Sequence, residues 1–154
     1  MKNAKKAAPG PVSFIQEGAG SLERNKQLVR RFVDELLNKQ NMGAIEQIMA
    51  RDAVLHHSML PKPARGLAEI RQVIEGFHTG FPDLKVRIES LIAEGDQVAV
   101  SLACAGTQKG VFAQHQPTNQ AITWTAINLL TIRNDQIVDQ RACDDVIQRI
   151  EATC

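Results

Sequence analysis

The strongest constraint on the fold is a change of hydrophobic period near Pro82. Before this residue, apolar residues such as Leu28, Phe32 and Leu36 recur every three or four positions, which is typical of a helix with one buried face. After it, apolar and polar residues alternate, as in LKVRIESLIAEGDQVAV, which is typical of a strand with one buried face. Because the helical part precedes the strands, the pattern predicts an α+β domain with helices packed on one face of a sheet.

The same periodicity predicts individual elements. We expect a first helix with its N-cap at Ser21, ending near NKQNMG, and a short second helix over GAIEQIMA. A third helix follows Gly66 and stops before Pro82. AVLHHS predicts a short strand, and the later strands form two antiparallel hairpins that turn at Gly95 and at Asn134, separated by a loop, KGVFAQHQPTNQ.

Composition excludes several classes of function. The net charge of +1 leaves no basic field for nucleic acid or for a membrane surface, and no run of about 18 apolar residues predicts a membrane span. The three cysteines form no CxxC pair and the four histidines form no HExxH, so we expect free thiols and no metal. Pro and Gly interrupt the basic start, and we interpret residues 1–20 as a flexible tail of a cytoplasmic protein.

Several segments, taken in order, carry a family resemblance. They are NKQLVRRFVDELLNKQNMGAIEQIMARDAVLHH, FHTGFPDLKVRIESLIAEGDQVAV, GTQKGVFAQHQPTNQ and IRNDQIVDQRACDD. Over about residues 22–150 the chain resembles the SnoaL-like polyketide cyclase (ester cyclase) family of the nuclear transport factor 2-like superfamily. The resemblance implies a single α+β barrel domain over residues 21–154, in which three N-terminal helices pack on the concave face of a cone-shaped, curved antiparallel sheet. It also implies a homodimer and a small-molecule substrate, with no cofactor.

The end of the last strand presents two adjacent carboxylates. With period 2, Ile137, Asp139, Arg141 and Asp145 share one face, although alternation alone does not choose between Asp145 and its neighbour Asp144. By its spacing from the Ile-Val pair, the resemblance assigns the catalytic acid/base to Asp145. Burial in an apolar cone would raise the pKa of that carboxyl, while Arg141 would oppose the rise or hold a substrate oxygen. The alternative is that both aspartates cap a final helical turn.

Other candidates surround this acid. One of His56 and His57 should face inward, and the family places its histidine at His56. Trp124 and Asn128 share the inner face of their strand. We expect Trp124 to form a flat wall of the pocket and the amide of Asn128 to bind a substrate oxygen. Core or dimer packing for Trp124 and a backbone partner for Asn128 are the alternatives. By family position, Gln108 and Phe112 line the pocket mouth.

For these residues, the resemblance implies cofactor-free general acid/base catalysis on a carbonyl substrate, of the kind that closes a ring in an aldol-type cyclase. On this assignment Asp145→Asn abolishes turnover and leaves folding intact. A non-catalytic ligand-binding or dimerisation module is the alternative, because Gln108 and Arg141 stand where the family often has His and Trp. A dehydratase or isomerase on the same scaffold is a further alternative.

Overall fold

The computed structural model describes the backbone of residues 12–154 and the side chains of residues 21–154. The helices are α1 (Val12–Arg31), α2 (Ile45–Ile48), α3 (Leu67–Gly80) and α4 (Val146–Glu151). The first continues as a π-helical segment, Phe32–Asn38, and a 3₁₀ turn, Met42–Ala44, precedes α2. The strands are β1 (Met49–His57), β2 (Ala64–Arg65), β3 (Lys85–Glu94), β4 (Gln97–Thr107), β5 (Ala121–Arg133) and β6 (Gln136–Asp144).

The strands form one curved six-stranded sheet in the order β2-β1-β6-β5-β4-β3. The predicted α+β fold class is confirmed. Two details differ from the prediction: β1 runs parallel to β6 whereas the other neighbours are antiparallel, and the sheet stays open with β2 and β3 at its edges. The sheet is therefore mixed and does not close into a barrel.

The helices cover the concave face of the sheet. The α1 and π-helical segments pack against β3, and α3 packs against β1 and β2. Their apolar stripes supply Val29, Phe32, Leu36, Ile70 and Ile74 to the core, which meets the inward residues Val98, Val100, Leu102 and Leu130 of the sheet. Removal of this apolar surface from water drives the packing of helices on sheet.

The start of α1 differs from the prediction. The helix begins at Val12 and passes through Ser21, so the predicted N-cap at Ser21 is wrong. Of the predicted tail, residues 1–11 lie outside the described residues, and its boundary at residue 20 stays a prediction.

One residue of β6 is left without a partner on β5. Thr131 pairs with Asp139 and Ile132 pairs with Ile137, so Val138 is an extra residue, which defines a β-bulge. A bulge shifts the alternation of side chains by one position. The face that a strict period of 2 assigns from Ile137 is therefore wrong beyond Val138.

Beyond the bulge, the inner face of β6 carries Gln140, Ala142 and Asp144. Gln140 is 7% exposed, and all three of these residues line the cavity between sheet and helices. Arg141, which was predicted to share the inner face with Asp145, is exposed, and so is Cys143. The bulge thus decides which polar residues of the last strand meet the core.

The FPDL turn fixes the start of the sheet beneath α3. Phe81 is fully buried and its ring lies 4.7 Å from that of Trp124. Asp83 accepts hydrogen bonds from the backbone N–H of Thr107 at 2.7 Å and from its hydroxyl at 2.8 Å. These contacts join the turn to the end of β4.

The loop after β4 packs directly on the end of α3. A Cβ on Gly110 would collide with the carbonyl oxygen of Thr79, and the Gly110 N–H donates to the carbonyl of Gly80 at 3.3 Å. Only glycine permits this close approach of two backbones.

We expect Gly110→Ala to lower the free energy of unfolding by about 2 kcal/mol or more, because the loop must leave α3 to make room. Gly76→Ala is the matched control: its new methyl meets nothing within 4 Å, and it should stabilise the helix by about 0.5–1 kcal/mol. Urea denaturation of both variants checks the pair. Equal stability of the two variants would contradict the packing described.

Candidate active site

A cavity of about 70 Å³ lies between the helices and the concave face of the sheet. One water needs roughly 10–15 Å³ on the same measure, so the cavity has room for a few water-sized groups. Most of its wall is apolar, formed by Phe32, Leu37, Leu55, Val73, Ile74, Phe77, Leu84, Val86, Leu102, Trp124, Ala126 and Ala142. Besides the indole N–H of Trp124, four of its side chains carry oxygen or nitrogen: His57, Asn128, Gln140 and Asp144.

The central polar contact joins β1 to β6. His57 Nε2 lies 3.0 Å from Asp144 Oδ2, and the two side chains are only 6% and 4% exposed. The backbone N–H of Met59 donates to His57 Nδ1 at 3.1 Å, which requires that nitrogen to carry no proton. The proton of the neutral ring is therefore on Nε2 and is donated to the carboxylate.

The other oxygen of Asp144 is also held. Its Oδ1 accepts the backbone N–H of Val146 at 3.2 Å, in the first turn of α4. One donor on each oxygen fixes the orientation of the carboxylate in an apolar wall, and each oxygen keeps lone-pair capacity for a further proton. A carboxylate so placed is suited to remove a proton from a bound molecule and to return it.

Asn128 and Gln140 form a second polar pair in the wall. Gln140 Nε2 donates to Asn128 Oδ1 at 2.8 Å, and both side chains are buried. Asn128 lies opposite Ala142 in the β5–β6 register, and Ala126 lies opposite Asp144. Asn128 is thus the diagonal neighbour of Asp144, about 7–8 Å away along the sheet surface.

The family model of the SnoaL-like polyketide cyclase matches residues 27–151. The chain belongs to the SnoaL-like polyketide cyclase family. The predicted resemblance is thereby confirmed, and membership places the chain, at family level, among enzymes that act on small molecules. No sequence relative among curated proteins matches the chain.

Solved structures show how this SnoaL-like domain relates to others. A protein from Jannaschia sp. CCS1 assigned as a SnoaL-like polyketide cyclase is 21% identical, with a TM-score of 0.77 over 93% of this chain and 94% of that one. AclR from Streptomyces galilaeus, assigned as a hydroxylase, is 24% identical, with a TM-score of 0.70 over 80% and 79%. A Catenulispora acidiphila protein with a ketosteroid isomerase-like fold, in complex with trimethylamine, is 16% identical, with a TM-score of 0.63 over 75% and 83%. These likenesses show the fold.

The SnoaL-like scaffold does not bring Asp145 to the cavity. Its Oδ1 accepts the backbone N–H of Thr125 at 2.9 Å, and its Oδ2 pairs with Arg149 Nε at 3.0 Å. Partial burial acts to raise the pKa of Asp145, but these two partners outweigh it and hold the pKa below its ordinary value. The predicted inward position of Asp145 is therefore wrong, because the bulge at Val138 turns Asp144 inward instead.

His56 and Arg141 also lie away from the cavity. His56 Nε2 contacts Asp139 Oδ1 at 3.1 Å, and Arg141 Nε lies 3.5 Å from Asp139 Oδ2 on the same outer face. The side chain of Arg141 is 64% exposed. Of the two adjacent histidines, His57 is the one that lines the cavity, so neither His56 nor Arg141 can touch a molecule bound there.

Trp124 and Asn128 lie in the cavity wall, whereas Gln108 and Phe112 lie outside it. Phe112 packs behind the wall, with its ring 4.8 Å from that of Phe77. Gln108 is fully buried: its Nε2 donates to loop carbonyls, including that of Gln116 at 3.1 Å, and its Oε1 accepts the Thr118 N–H at 3.3 Å. Gln108 thus holds the loop together, and its predicted place at the pocket mouth is wrong.

Cys104 and Gln140 are cavity residues that the alternation pattern did not single out. Burial, reinforced by the charges of Asp144 and Asp145, raises the pKa of the Cys104 thiol to about 12. The thiol therefore stays protonated and is no nucleophile. Among the described residues, no group of three or more His, Cys, Asp or Glu side chains is placed to hold a metal ion, and no helix is long and apolar enough to cross a membrane.

The lowered pKa of Asp145 predicts a pH dependence of stability. A carboxyl with a folded pKa below 3.8 stabilises the fold above that value, and this contribution is lost as the pH falls through the folded pKa. We expect Asp145→Asn to cost about 1 kcal/mol near neutrality, since the group is partly exposed and screened. The difference should shrink towards about pH 3, as measured by urea unfolding of both proteins. A constant difference across that range would contradict the assignment.

Proposed function

We propose that the chain transfers a proton at a carbon next to a carbonyl group, and so closes a ring in a small, largely apolar molecule. The observation that carries this proposal is the buried pair of His57 and Asp144, which opens onto an apolar cavity. Asp144 replaces Asp145 as the acid/base, and His57 replaces His56 as its partner. Family membership supports a small-molecule enzyme, and the cavity supports the particular chemistry.

In the proposed reaction, an oxygen of Asp144 takes a proton from the carbon next to the first carbonyl. The electron pair of the broken C–H bond forms an enolate, whose carbon attacks a second carbonyl of the same molecule. A C–C bond forms, and the new alkoxide takes the proton back from the Asp144 carboxylic acid. Atoms and charge balance without a cofactor, because the same carboxyl removes and returns the proton.

The surrounding residues supply orientation and stabilisation. His57 and the Val146 N–H hold the carboxylate in one position, so little reorganisation precedes proton transfer. With its Oδ1 engaged by Gln140, Asn128 has its Nδ2 left to donate to the enolate oxygen. The apolar walls hold the substrate in a folded pose and exclude water from the enolate.

Asp144→Asn tests the proposal, with Asp145→Asn as a matched control that changes the adjacent carboxyl outside the cavity. The probe is 4-methylacetophenone in D₂O, whose acetyl protons exchange only after a proton leaves carbon. We expect the wild type to accelerate this exchange, Asp144→Asn to reduce the acceleration about 10²-fold or more, and Asp145→Asn to retain it. Proton NMR follows the loss of the acetyl methyl signal, and circular dichroism checks that each variant folds.

If the two folded variants lost exchange to the same extent, Asp144 would not be the acid/base of the proposed reaction. Binding of the probe by calorimetry without any exchange in the wild type would overturn the enzymatic proposal. It would favour the alternative of a ligand-binding module on the same scaffold.

The proposal includes a homodimer formed through the outer face of the sheet. Ile127 of β5 and Ile92 of β3 lie on this face, and their exposed fractions of 63% and 67% are large for aliphatic side chains. We expect sedimentation at micromolar concentration to give the mass of two chains, and Ile127→Lys to give that of one. A wild-type monomer under these conditions would contradict the dimer.

A further inference from the structure

Gln140 carries a polar atom that the fold itself leaves unused. Its side chain is 7% exposed and lines the cavity, and its Oε1 has no hydrogen-bond partner among the described residues. A buried carbonyl oxygen without a partner is unfavourable, and such atoms are uncommon in native proteins. The Asp144 mechanism does not use this oxygen.

Because Gln140 is hydrogen-bonded to Asn128, the atoms left without a partner must be counted for the two amides together. Each amide has one acceptor oxygen and one donor nitrogen, and the 2.8 Å bond between them uses one of each. Turning both amides over would exchange the two positions, so that Gln140 would present the donor and Asn128 the acceptor. In either orientation the pair therefore presents one donor and one acceptor.

The polar groups of the wall lie in a row. On β6, Gln140 precedes Asp144 by four residues, which separates their α-carbons by about 13 Å along the strand. Asn128 of β5 lies between them, bonded to Gln140 and diagonal to Asp144. A molecule that reaches from Asp144 past Asn128 to Gln140 thus meets an acid/base, then a donor, then an acceptor.

We propose that Gln140 is a specificity-determining residue, whose Oε1 accepts a hydrogen bond from a hydroxyl or enol group of the substrate. The inference rests on the proposed function and narrows its substrate class. The substrate is a carbonyl compound with a second, hydroxyl-bearing position on the far side of the carbonyl from the carbon that loses its proton. A purely hydrocarbon frame would leave Gln140 Oε1 buried without a partner and would bind less tightly.

The test compares two probes of nearly equal size, 4-hydroxyacetophenone and 4-methylacetophenone, by titration calorimetry at about pH 6, where the phenol stays neutral. We expect the wild type to bind the hydroxyl compound about five- to tenfold more tightly, the net value of one buried hydrogen bond. Gln140→Met keeps the side-chain length and removes the amide. It should reverse the preference, so that the methyl compound binds more tightly.

Thermal unfolding of Gln140→Met shows whether the variant folds. If the loss of its partner from Asn128 destabilises the fold, Asn128→Leu/Gln140→Met replaces both amides. A wild type that shows no hydroxyl preference would overturn the proposal, with Gln140 Oε1 then satisfied by water only. An undiminished preference in the folded variants would overturn it as well, because the hydroxyl would have another partner. Failure to bind either probe would overturn the stated substrate class.

Asp144→Asn separates this inference from the proposed function. It should reduce the acceleration of proton exchange at carbon about 10²-fold or more and leave the hydroxyl preference intact. A preference without exchange in the wild type would therefore defeat the catalytic proposal and retain Gln140 as a ligand-binding residue. Exchange without a hydroxyl preference would retain the catalytic proposal and overturn the role of Gln140 in binding.

Discussion

The parallel pairing of β1 with β6 places His57 beside Ala142, one inward position from Asp144. The 3.0 Å contact between His57 and Asp144 follows from this pairing, and it joins two strands that lie far apart in the sequence. A buried imidazole and carboxylate are expensive to desolvate separately, but together each satisfies the other. Apart from this contact and the Asn128–Gln140 pair, the wall of the cavity is mostly apolar.

The helices and the inner face of β5 could be predicted because they depend on local periodicity. Trp124, Asn128 and Leu130 alternate without interruption, and the structure places all three on the buried side. The inner face of β6 could not be predicted in the same way. The bulge at Val138 is a property of the pairing between two strands, and the letters IVDQRACDD carry no mark of it.

Family position was a weaker guide to side-chain roles than to the fold. Gln108 stands where the family often has a histidine, yet its amide is fully engaged in its own loop. Arg141 stands where a tryptophan is common, and it lies on the outer face beside Asp139. Neither substitution alters the cavity wall. Both departures thus lie outside the cavity wall, whose polar residues are a separate set.

The chain contains a single tryptophan, and it forms part of the cavity wall with only 3% of its surface exposed. An indole in such a dry environment emits at shorter wavelength than one in water, and its emission responds to molecules that come into contact with the ring. Because no second indole adds background, light emitted by the native chain originates at Trp124. The fold thus contains an intrinsic optical reporter of whether its cavity is filled.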